Sequence, residues 1–244
     1  MKTKTPLFMN LRLPNKLLFS LLTFAGAVLA ASAIYPVNNG FEQPDLGSGG
    51  GAYQYDPVAP GWTFTPECCA GIAANGSDFN VMGATNGNND NGATSTSGQA
   101  AFLQGGDGTL DATGSAWASQ TLTLLAGSYM LDFSIEGRLG TGGGPTGATG
   151  VDVFLNGVQK GGTLFPASLG SFNDVSVNLG NLAAGSYTIA FAGDAPILGA
   201  DVTTFVDNVK IVSSVPDSGD TFLLMLCSGA GLLIMRRFAS VQWF

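Results

Sequence analysis

The groups that could perform chemistry in this sequence are carboxylates and thiols, because the chain contains no histidine. Without an imidazole, Ser-His-Asp and Cys-His nucleophilic devices and the usual zinc sites are excluded. A pair of carboxylates about 5 to 9.5 Å apart could still hydrolyse a glycosidic bond. Glu42, Glu67 and Glu136 and several aspartates are available, but none lies in a recognisable motif. We therefore expect a protein that is not an enzyme, and a carboxylate-based glycosidase is the least favoured class.

Binding of sugar rings needs aromatic faces beside amide or carboxylate groups, because a sugar presents C–H patches and hydroxyls together. Candidate rings are those of Trp62, Trp117, Phe79 and Tyr55, and candidate polar partners are Asn75, Gln104 and Arg138. For any one ring, packing in the core is the common alternative. Trp117 lies among small residues in a glycine-rich stretch, so it is the ring that we expect to be exposed. The ligand-binding set that we predict is Trp62, Trp117, Arg138 and Asn75.

The charge of the central segment excludes one class of partner. Residues 34–214 contain 15 acidic residues against three basic ones, Arg138, Lys160 and Lys210, a balance of −12. Such a surface repels phosphate backbones, so nucleic acid is not an expected partner. The 36 glycines, with 45% hydrophobic and 11% charged residues, are typical of a turn-rich extracellular β protein rather than of a disordered chain.

The N-terminal residues predict export. Four basic residues between Lys2 and Lys16 precede an apolar segment, 17–30, and the small residues Ala31-Ser32-Ala33 follow it. These are the features of a secretory signal peptide, which we assign to 1–33. The 181 residues from Ile34 to Ser214 then suit one all-β domain.

The cysteines leave their pairing open. Cys68 and Cys69 are neighbours, and Cys227 lies in the apolar C-terminal run. A strained vicinal disulfide, two intermolecular bridges and two buried thiols are the alternatives for the neighbouring pair. Because an exported protein enters an oxidising compartment, we favour an oxidised form of Cys68 and Cys69.

Short strands are predicted throughout 34–214, because apolar and polar residues alternate between turn signals. The Asn156-Gly157 pair after the alternating segment 151–155 predicts a tight hairpin turn. Segments 124–133 and 182–191 repeat one pattern, in which Ala-Gly-Ser precedes alternating residues that begin with tyrosine. We interpret these segments as two equivalent hairpins of an all-β sandwich.

Several motifs, in their order along the chain, resemble the galactose-binding-like β-sandwiches, including DUF642-type and CenC-type carbohydrate-binding modules. They are Asn39-Gly40-Phe41-Glu42, Gly61-Trp62, Gln99-Ala100-Ala101-Phe102-Leu103, the two Ala-Gly-Ser-Tyr segments, and Phe205-Val206-Asp207-Asn208-Val209. The resemblance implies a jelly-roll sandwich over 37–212 with adjacent first and last strands.

The same resemblance implies a structural Ca²⁺. In related modules the ion is held by the Glu after the first Phe and by an Asp on the final strand, with backbone carbonyls. Here those residues are Glu42 and Asp207. Two neighbouring carboxylates would repel each other, so a cation between them is physically reasonable. The alternative is that Glu42 caps a turn and Asp207 is solvated.

The C-terminal segment 215–244 combines a polar signature, an apolar run and a basic pair. In order, these are Val215-Pro216-Asp217-Ser218-Gly219, then Thr221 to Met235, then Arg236-Arg237. Arginines that follow an apolar segment stay on the cytoplasmic side, because moving guanidinium groups through hydrocarbon is costly. We predict a transmembrane helix at 219–235, which extends before Thr221 because a bilayer needs about 20 residues.

This order resembles the PEP-CTERM sorting tails of Gram-negative bacteria, in their VPDSG variant. The resemblance implies export by the secretion machinery, a membrane-anchored precursor, processing by an exosortase, and a place at the cell surface or in the extracellular matrix. Asp217-Ser218 replaces the Glu-Pro of the commoner motif, and seven residues follow the arginines. The alternative is a plain membrane anchor.

Together these patterns predict an exported surface or matrix protein with a non-catalytic carbohydrate-binding module, whose partner is a polysaccharide. The main alternative is a structural matrix protein that binds no specific ligand.

Overall fold

Twelve β-strands and no helix form within the residues that the computed structural model describes, which are 33–66, 69–86, 94–105, 110, 116–140, 147–194 and 202–214. All of them belong to one compact unit, Ala31–Val215. In chain order the strands are β1 Ala33–Ile34, β2 Tyr53–Tyr55, β3 Thr63–Phe64, β4 Ala70–Ala74, β5 Gln99–Gln104, β6 Trp117–Leu124, β7 Gly127–Gly137, β8 Gly150–Leu155, β9 Val158–Leu164, β10 Asn173–Leu182, β11 Gly185–Asp194 and β12 Thr203–Ser214. In the described part of the chain, no helix has the length and apolar character needed to cross a membrane. The predicted signal peptide up to residue 32 and the whole predicted sorting tail, 215–244, lie outside that part.

The strands form two antiparallel sheets with the core between them. The large sheet has the order β10-β7-β12-β5-β4-β2, and β1 pairs with β12 as well. The small sheet has the order β3-β6-β11-β8-β9. Ala33 and Ile34 of β1 pair with Val212 and Ile211 of the last strand. The predicted all-β sandwich is confirmed, with the first and last described strands adjacent.

The core forms because alternate residues of the long strands are apolar. Leu131, Phe133 and Ile135 of β7 meet Ile189 and Phe191 of β11 in it. The rings of Phe133 and Phe191 contact each other across the sandwich, with centroids 4.9 Å apart. Full burial of side chains of this size contributes about 1.5–3 kcal/mol each. A slip of one residue would expose all of them, so the pattern fixes which face of each strand is inside.

The two Ala-Gly-Ser-Tyr segments are arches between the sheets, so the prediction of two hairpins is wrong. β6 and β7 lie in different sheets, as do β10 and β11. The copies pair with each other instead, β6 with β11 and β7 with β10. Each tyrosine holds its own turn, since Tyr129 Oη donates to Leu125 O and Tyr187 Oη donates to Ala183 O, both at 2.9 Å. The repeat therefore reflects pairing between its copies rather than within each copy.

The predicted Asn156-Gly157 turn joins β8 to β9 as a hairpin, which confirms that prediction. Both residues have positive φ angles, 50° and 76°, as a type I′ turn requires. Asn156 Oδ1 also accepts a hydrogen bond from Thr188 N at 2.8 Å. This bond fixes the turn against β11.

A loop, 75–86, covers the middle of the outer face of the large sheet. Its Phe79, Val81 and Ala84 pack with Phe102 of β5 and Phe205 of β12 in a second, smaller apolar cluster. The rings of Phe79 and Phe102 are stacked with centroids 4.2 Å apart. The strands at the two edges, β2 and β10, keep exposed residues on either side of this loop.

Candidate functional site

A polar cleft of about 350 Å³ lies on the outer face of the large sheet, where β10, β7 and β12 run side by side. Its lining residues are Tyr35, Asp132, Phe133, Ser134, Asp174, Val175, Ser176, Asn208 and Lys210. All of them except Tyr35 belong to these three strands. Sheet geometry therefore fixes the positions of the polar side chains.

Two cross-strand pairs form the cleft. Because the neighbours of Asp132 and Ser134 on β7 face the core, these two residues point outward, opposite Ser176 and Asp174 of β10. Ser176 Oγ donates to Asp132 Oδ1 at 2.6 Å, and Ser134 Oγ donates to Asp174 Oδ1 at 2.7 Å. Lys210 Nζ lies 3.9 Å from Asp132 Oδ2. The carboxylates are thus held in fixed orientations, in which they can accept hydrogen bonds from a ligand.

A β-bulge in β12 brings an amide group to the cleft. The pairing of β12 with β7 shifts between Asp207 and Lys210, and Asn208 has a φ of 55°. Asparagine adopts this left-handed conformation more readily than most residues, which suits it to a bulge. Asn208 Oδ1 accepts a hydrogen bond from Thr85 Oγ1 at 2.9 Å. The bulge therefore connects the cleft to the loop over the sheet.

Glu42 and Asp207, the predicted calcium ligands, are both fully buried. Asp207 accepts hydrogen bonds from Thr85 N at 3.0 Å and from Asn208 N at 2.7 Å. Glu42 accepts one from Ser95 Oγ. Burial, with a smaller contribution from repulsion by Glu42, raises the pKa of Asp207 to about 8. The two carboxyl groups are thus near enough for their charges to interact.

The surroundings of these carboxyl groups are compatible with a cation. The buried Asn39 Oδ1 has no hydrogen-bond partner within the described part of the chain. Asn39 O accepts from Val209 N at 3.0 Å, so its turn is attached to β12 close to Asp207. Among the described residues, no group of three or more Asp, Glu, His or Cys side chains could hold a metal. A cation near Glu42 and Asp207 would therefore need amide or carbonyl oxygens as its other ligands.

The two tryptophans of the predicted ligand-binding set lie outside the cleft lining. Trp62 is 4% exposed, and its indole N–H donates to Asn38 O at 3.0 Å within the main core. Its position beside Phe41, with ring centroids 4.7 Å apart, leaves no ring face for a ligand. Trp117 begins β6 in the small sheet and is half-buried, less open than the sequence predicts.

Asn75 and Arg138, the polar members of that set, organise the loop. Asn75 Nδ2 donates to Ala84 O at 2.9 Å and to Ser97 O at 2.7 Å, so the side chain fastens the two ends of the loop together. Arg138 is 7% exposed, and a guanidinium nitrogen donates to Asp78 O at 3.0 Å. The structure therefore does not bring Trp62, Trp117, Asn75 and Arg138 together in one site.

Other candidates from the sequence do meet, at the β2 edge of the same face. The rings of Tyr55 and Phe79 have centroids 5.7 Å apart, and Tyr55 Oη donates to Gln104 Oε1 at 2.7 Å. The Arg138 guanidinium lies over the Phe79 ring at 4.8 Å. Tyr55 is 38% exposed, whereas Phe79 is buried.

Sequence reasoning missed the cleft, although a signal was present. The same Asp-apolar-Ser triplet occurs in both strands, as Asp132-Phe133-Ser134 and Asp174-Val175-Ser176. Each triplet has the alternation of an ordinary half-buried strand, so alone it indicates only a solvated face. The triplets become a site because the antiparallel register sets each Asp opposite the Ser of the other copy.

Two of the glutamates considered for glycoside hydrolysis, Glu42 and Glu136, are buried and lie outside the cleft lining. Glu136 is fully buried, and its Oε1 accepts a hydrogen bond from Met82 N at 3.0 Å. Burial raises the pKa of Glu136 to about 8. Glu67 lies outside the described residues.

Cys69 is disulfide-bonded. Cys68 and Cys227, the other cysteines of the chain, lie outside the described residues. A disulfide between Cys68 and Cys69, one of the alternatives that the sequence leaves open, stays a prediction.

No protein-family model and no curated protein sequence matches this chain. A cyclase from Fischerella sp. TAU matches its structure with a TM-score of 0.51 and 19% identity, over 75% of this chain and 98% of the cyclase. A cyclase from the same source in complex with 4-(1H-indol-3-yl)butan-2-one matches with a TM-score of 0.51 and 18% identity, over 77% of this chain and 100% of the cyclase. TmCBM61 in complex with β-1,4-galactotriose matches with a TM-score of 0.40 and 14% identity, over 72% of this chain and 96% of TmCBM61. The likeness to the cyclases is one of fold alone, and with the two antiparallel sheets it confirms the predicted all-β jelly-roll sandwich.

Proposed function

We propose that this domain is a non-catalytic carbohydrate-binding module that holds sugar residues in the polar cleft. The observation that carries the proposal is the lining of the cleft, where carboxylate, hydroxyl, amide and ammonium groups surround a volume of about 350 Å³. Sugar hydroxyls both donate and accept hydrogen bonds, and such a mixed lining can match both roles. The volume of the cleft lies within the range of about 300–1,000 Å³ that is usual for small-ligand sites.

The charges favour a neutral glycan over an anionic one. Asp132 and Asp174 line the cleft with Lys210, and Lys210 already faces Asp132. Residues 34–214 also carry a net charge of −12. An anionic polysaccharide would be repelled before it reached the cleft, most strongly at low ionic strength. We expect xylan or galactan to bind more tightly than polygalacturonate.

Affinity measurements on residues 33–214, which contain both sheets and the core, test this proposal. The probes are xylan, galactan, polygalacturonate and the exopolysaccharide of the producing strain. Asp132→Asn and Asp174→Asn each remove a charged acceptor, which should lower affinity about tenfold or more. Asp194→Asn on the small sheet is the matched control and should bind normally. A folded domain that binds none of the probes would contradict the proposal and favour a structural matrix protein.

A calcium ion at Glu42 and Asp207 is part of the same proposal. Two carboxylates and the Asn39 amide oxygen are hard ligands of the kind that Ca²⁺ prefers. The bound ion would offset the repulsion between the carboxylates and tie the turn at Asn39 to the last strand. Added Ca²⁺ should raise the Tm of the chelator-treated domain by about 5–10 °C at 100 times its Kd. Asp207→Asn should abolish that rise, and an unchanged Tm of the unaltered domain would contradict the assignment.

Export and exosortase processing complete the proposal, and they rest on the sequence of the termini. The arrangement of the VPDSG signature, apolar run and Arg236-Arg237 supports a sorting signal. In the producing strain, the full-length chain should be shortened by removal of its C-terminal segment, and deletion of the exosortase should leave it intact and membrane-bound. Replacement of Val215-Pro216 by Ala-Ala should have the same effect. Unchanged processing without the exosortase would contradict this part.

One observation favours a second candidate, a glycosidase. Asp132 and Asp174 occupy diagonal positions across β7 and β10, where residues are about 7–8 Å apart and their Cβ atoms somewhat closer. Carboxylates at such separations serve glycoside hydrolysis. Reducing ends released by the unaltered domain but not by Asp132→Asn would favour this candidate. We expect no release, because each carboxylate is engaged by a serine of the partner strand.

A further inference from the structure

The edge strand β2 presents two tyrosines on the same outer face as the cleft. Tyr53 and Tyr55 are 36% and 38% exposed. They share a face because strand side chains alternate, and their rings meet edge to face with centroids 6.2 Å apart. We call this pair the aromatic ledge.

The aromatic ledge is rigid. Tyr53 contacts the Phe79 ring at 4.9 Å between centroids, and Tyr55 contacts the Phe102 ring at 5.0 Å. The bond from Tyr55 Oη to Gln104 Oε1 at 2.7 Å fixes the second ring further. Little side-chain entropy would be lost when a ligand covers rings that are already held in place.

The glycine segment 49–51, just before the aromatic ledge in the chain, has open space around it and lies beside a polar group. Added Cβ atoms at Gly49 and Gly51 would meet nothing within 4 Å among the described residues. A Cβ at Gly50, in contrast, would lie 2.6 Å from Asp78 Oδ1. The Asp78 carboxylate therefore stands beside this glycine segment, and Phe79, the next residue, supports the ledge. Partly exposed tyrosine rings and an exposed carboxylate on adjoining segments match the C–H patch and the hydroxyls of a sugar.

We propose that the aromatic ledge is a second carbohydrate-contact site, on which a pyranose ring stacks while Asp78 accepts hydrogen bonds from its hydroxyls. The inference rests on the proposed function and deepens it, because two contact sites imply binding to the interior of a polysaccharide rather than to a chain end. β7 and β2 are separated by four strand spacings in the large sheet, about 19 Å at 4.8 Å each. A trisaccharide occupies one site, whereas a polymer engages both.

A sugar fits the aromatic ledge better than a protein partner does. A standard protein interface buries about 800 Å² on each side. Two tyrosines that are each about one-third exposed offer much less area than that. A stacked sugar ring needs only a surface of the size of these rings.

The experiment compares polymer and trisaccharide binding by residues 33–214, with xylan and galactan as polymers and xylotriose and galactotriose as short probes. The double variant Y53A/Y55A should lose about tenfold or more in polymer affinity, since a second linked contact raises avidity at least that much. Its affinity for the trisaccharide that the cleft binds should be unchanged. Y53F/Y55F keeps the rings and should retain polymer binding, and Val58→Ala, at a 95% exposed position nearby, should do the same.

Cleft variants separate this inference from the proposed function. D132N/D174N should lose trisaccharide binding at the cleft but keep weak polymer binding through the aromatic ledge. The quadruple variant that combines D132N/D174N with Y53A/Y55A should lose the remaining polymer binding. A folded Y53A/Y55A domain with normal polymer affinity would overturn only the proposal that the aromatic ledge binds sugar. Absence of glycan binding by the unaltered domain would overturn both proposals. If Y53A/Y55A alters the circular dichroism spectrum, the exposed single variant Tyr53→Ser replaces it with the same expected direction.

Discussion

Asp132 and Glu136 lie four residues apart on the same face of β7, yet their surroundings differ completely. Asp132 borders the open cleft, where Ser176 and Lys210 face it. Glu136 lies beneath the loop 75–86, and its carboxyl group accepts a hydrogen bond from the loop backbone at Met82. Burial raises the pKa of Glu136 to about 8. The loop thus divides one strand face into an open region at the cleft and a covered region beneath the loop.

β12 repeats this division. Lys210 borders the cleft, whereas Asp207, just beyond the bulge, is buried and accepts a hydrogen bond from the loop at Thr85 N. Acidic side chains of two neighbouring strands therefore hold the same loop by its backbone. Whether a carboxyl group on this face is accessible to a ligand therefore depends on the position of the loop 75–86 rather than on the type of residue.

The largest expected effect comes from removing a buried acceptor. Asp207→Leu leaves the N–H groups of Thr85 and Asn208 without their acceptor, and each such loss costs about 1–3 kcal/mol. We expect the free energy of unfolding to fall by about 3 kcal/mol in urea denaturation with chelator present. Asp207→Asn keeps an acceptor oxygen and should lose less. A Leu variant as stable as the unaltered domain would show that the loop does not depend on this contact.

A smaller effect should appear as pH dependence. The pKa of Glu136 rises from 4.5 to about 8 on folding, so the folded state keeps a proton that the unfolded state releases. The stability from this proton is complete below about pH 4.5 and is lost as pH rises through about 8. Asp207, whose pKa is also raised to about 8, acts in the same direction.

Glu136→Gln should therefore flatten the fall in stability between pH 5 and pH 9 without abolishing it. At pH 9 the variant should exceed the unaltered domain by about 1–3 kcal/mol, because a buried ionised carboxylate has been removed. Urea denaturation across this range with chelator present measures the difference. Equal slopes for the two proteins would contradict the assignment of Glu136 as a protonated buried group.

The smallest expected effect on stability is at the cleft. Ser176→Ala removes one hydrogen bond between exposed groups, so the free energy of unfolding should change by about 0.5 kcal/mol or less. Ser134 is 4% exposed, so Ser134→Ala should cost somewhat more, about 1 kcal/mol. Glycan affinity should still fall, because the carboxylate loses the donor that orients it. Thr121→Ala on the exposed face of the small sheet is the control for both measurements. A large loss of stability would mean that these serines serve the fold rather than a ligand.

Sequence patterns predicted those parts of the fold that depend on local chemistry. The alternation of apolar residues on β7 and β11 and the Asn156-Gly157 turn both act within a few residues, and both predictions are confirmed. The Ala-Gly-Ser-Tyr segments were predicted wrongly as hairpins. A turn signal states where the chain turns, but not whether the next strand joins the same sheet or the opposite one.

The candidate site depended on contacts that no local pattern records. Trp62 and Arg138 were reasonable ligand residues by type, yet long-range packing placed one in the core and the other against the loop. The cleft required the register between β7 and β10, which connects residues about 40 positions apart in the sequence. Glu42 and Asp207 could be paired only through the family resemblance, and the calcium ion that it implies stays a prediction.

The most direct test of the account is amide chemical-shift mapping of residues 33–214 during titration with a short xylan- or galactan-derived oligosaccharide. If the cleft binds sugar, the largest shifts should fall on Asp132, Ser134, Asp174, Ser176 and Asn208. The small sheet around Asp194 should be unaffected. Saturable binding with the largest shifts on the small sheet, and none at the cleft, would contradict the central claim.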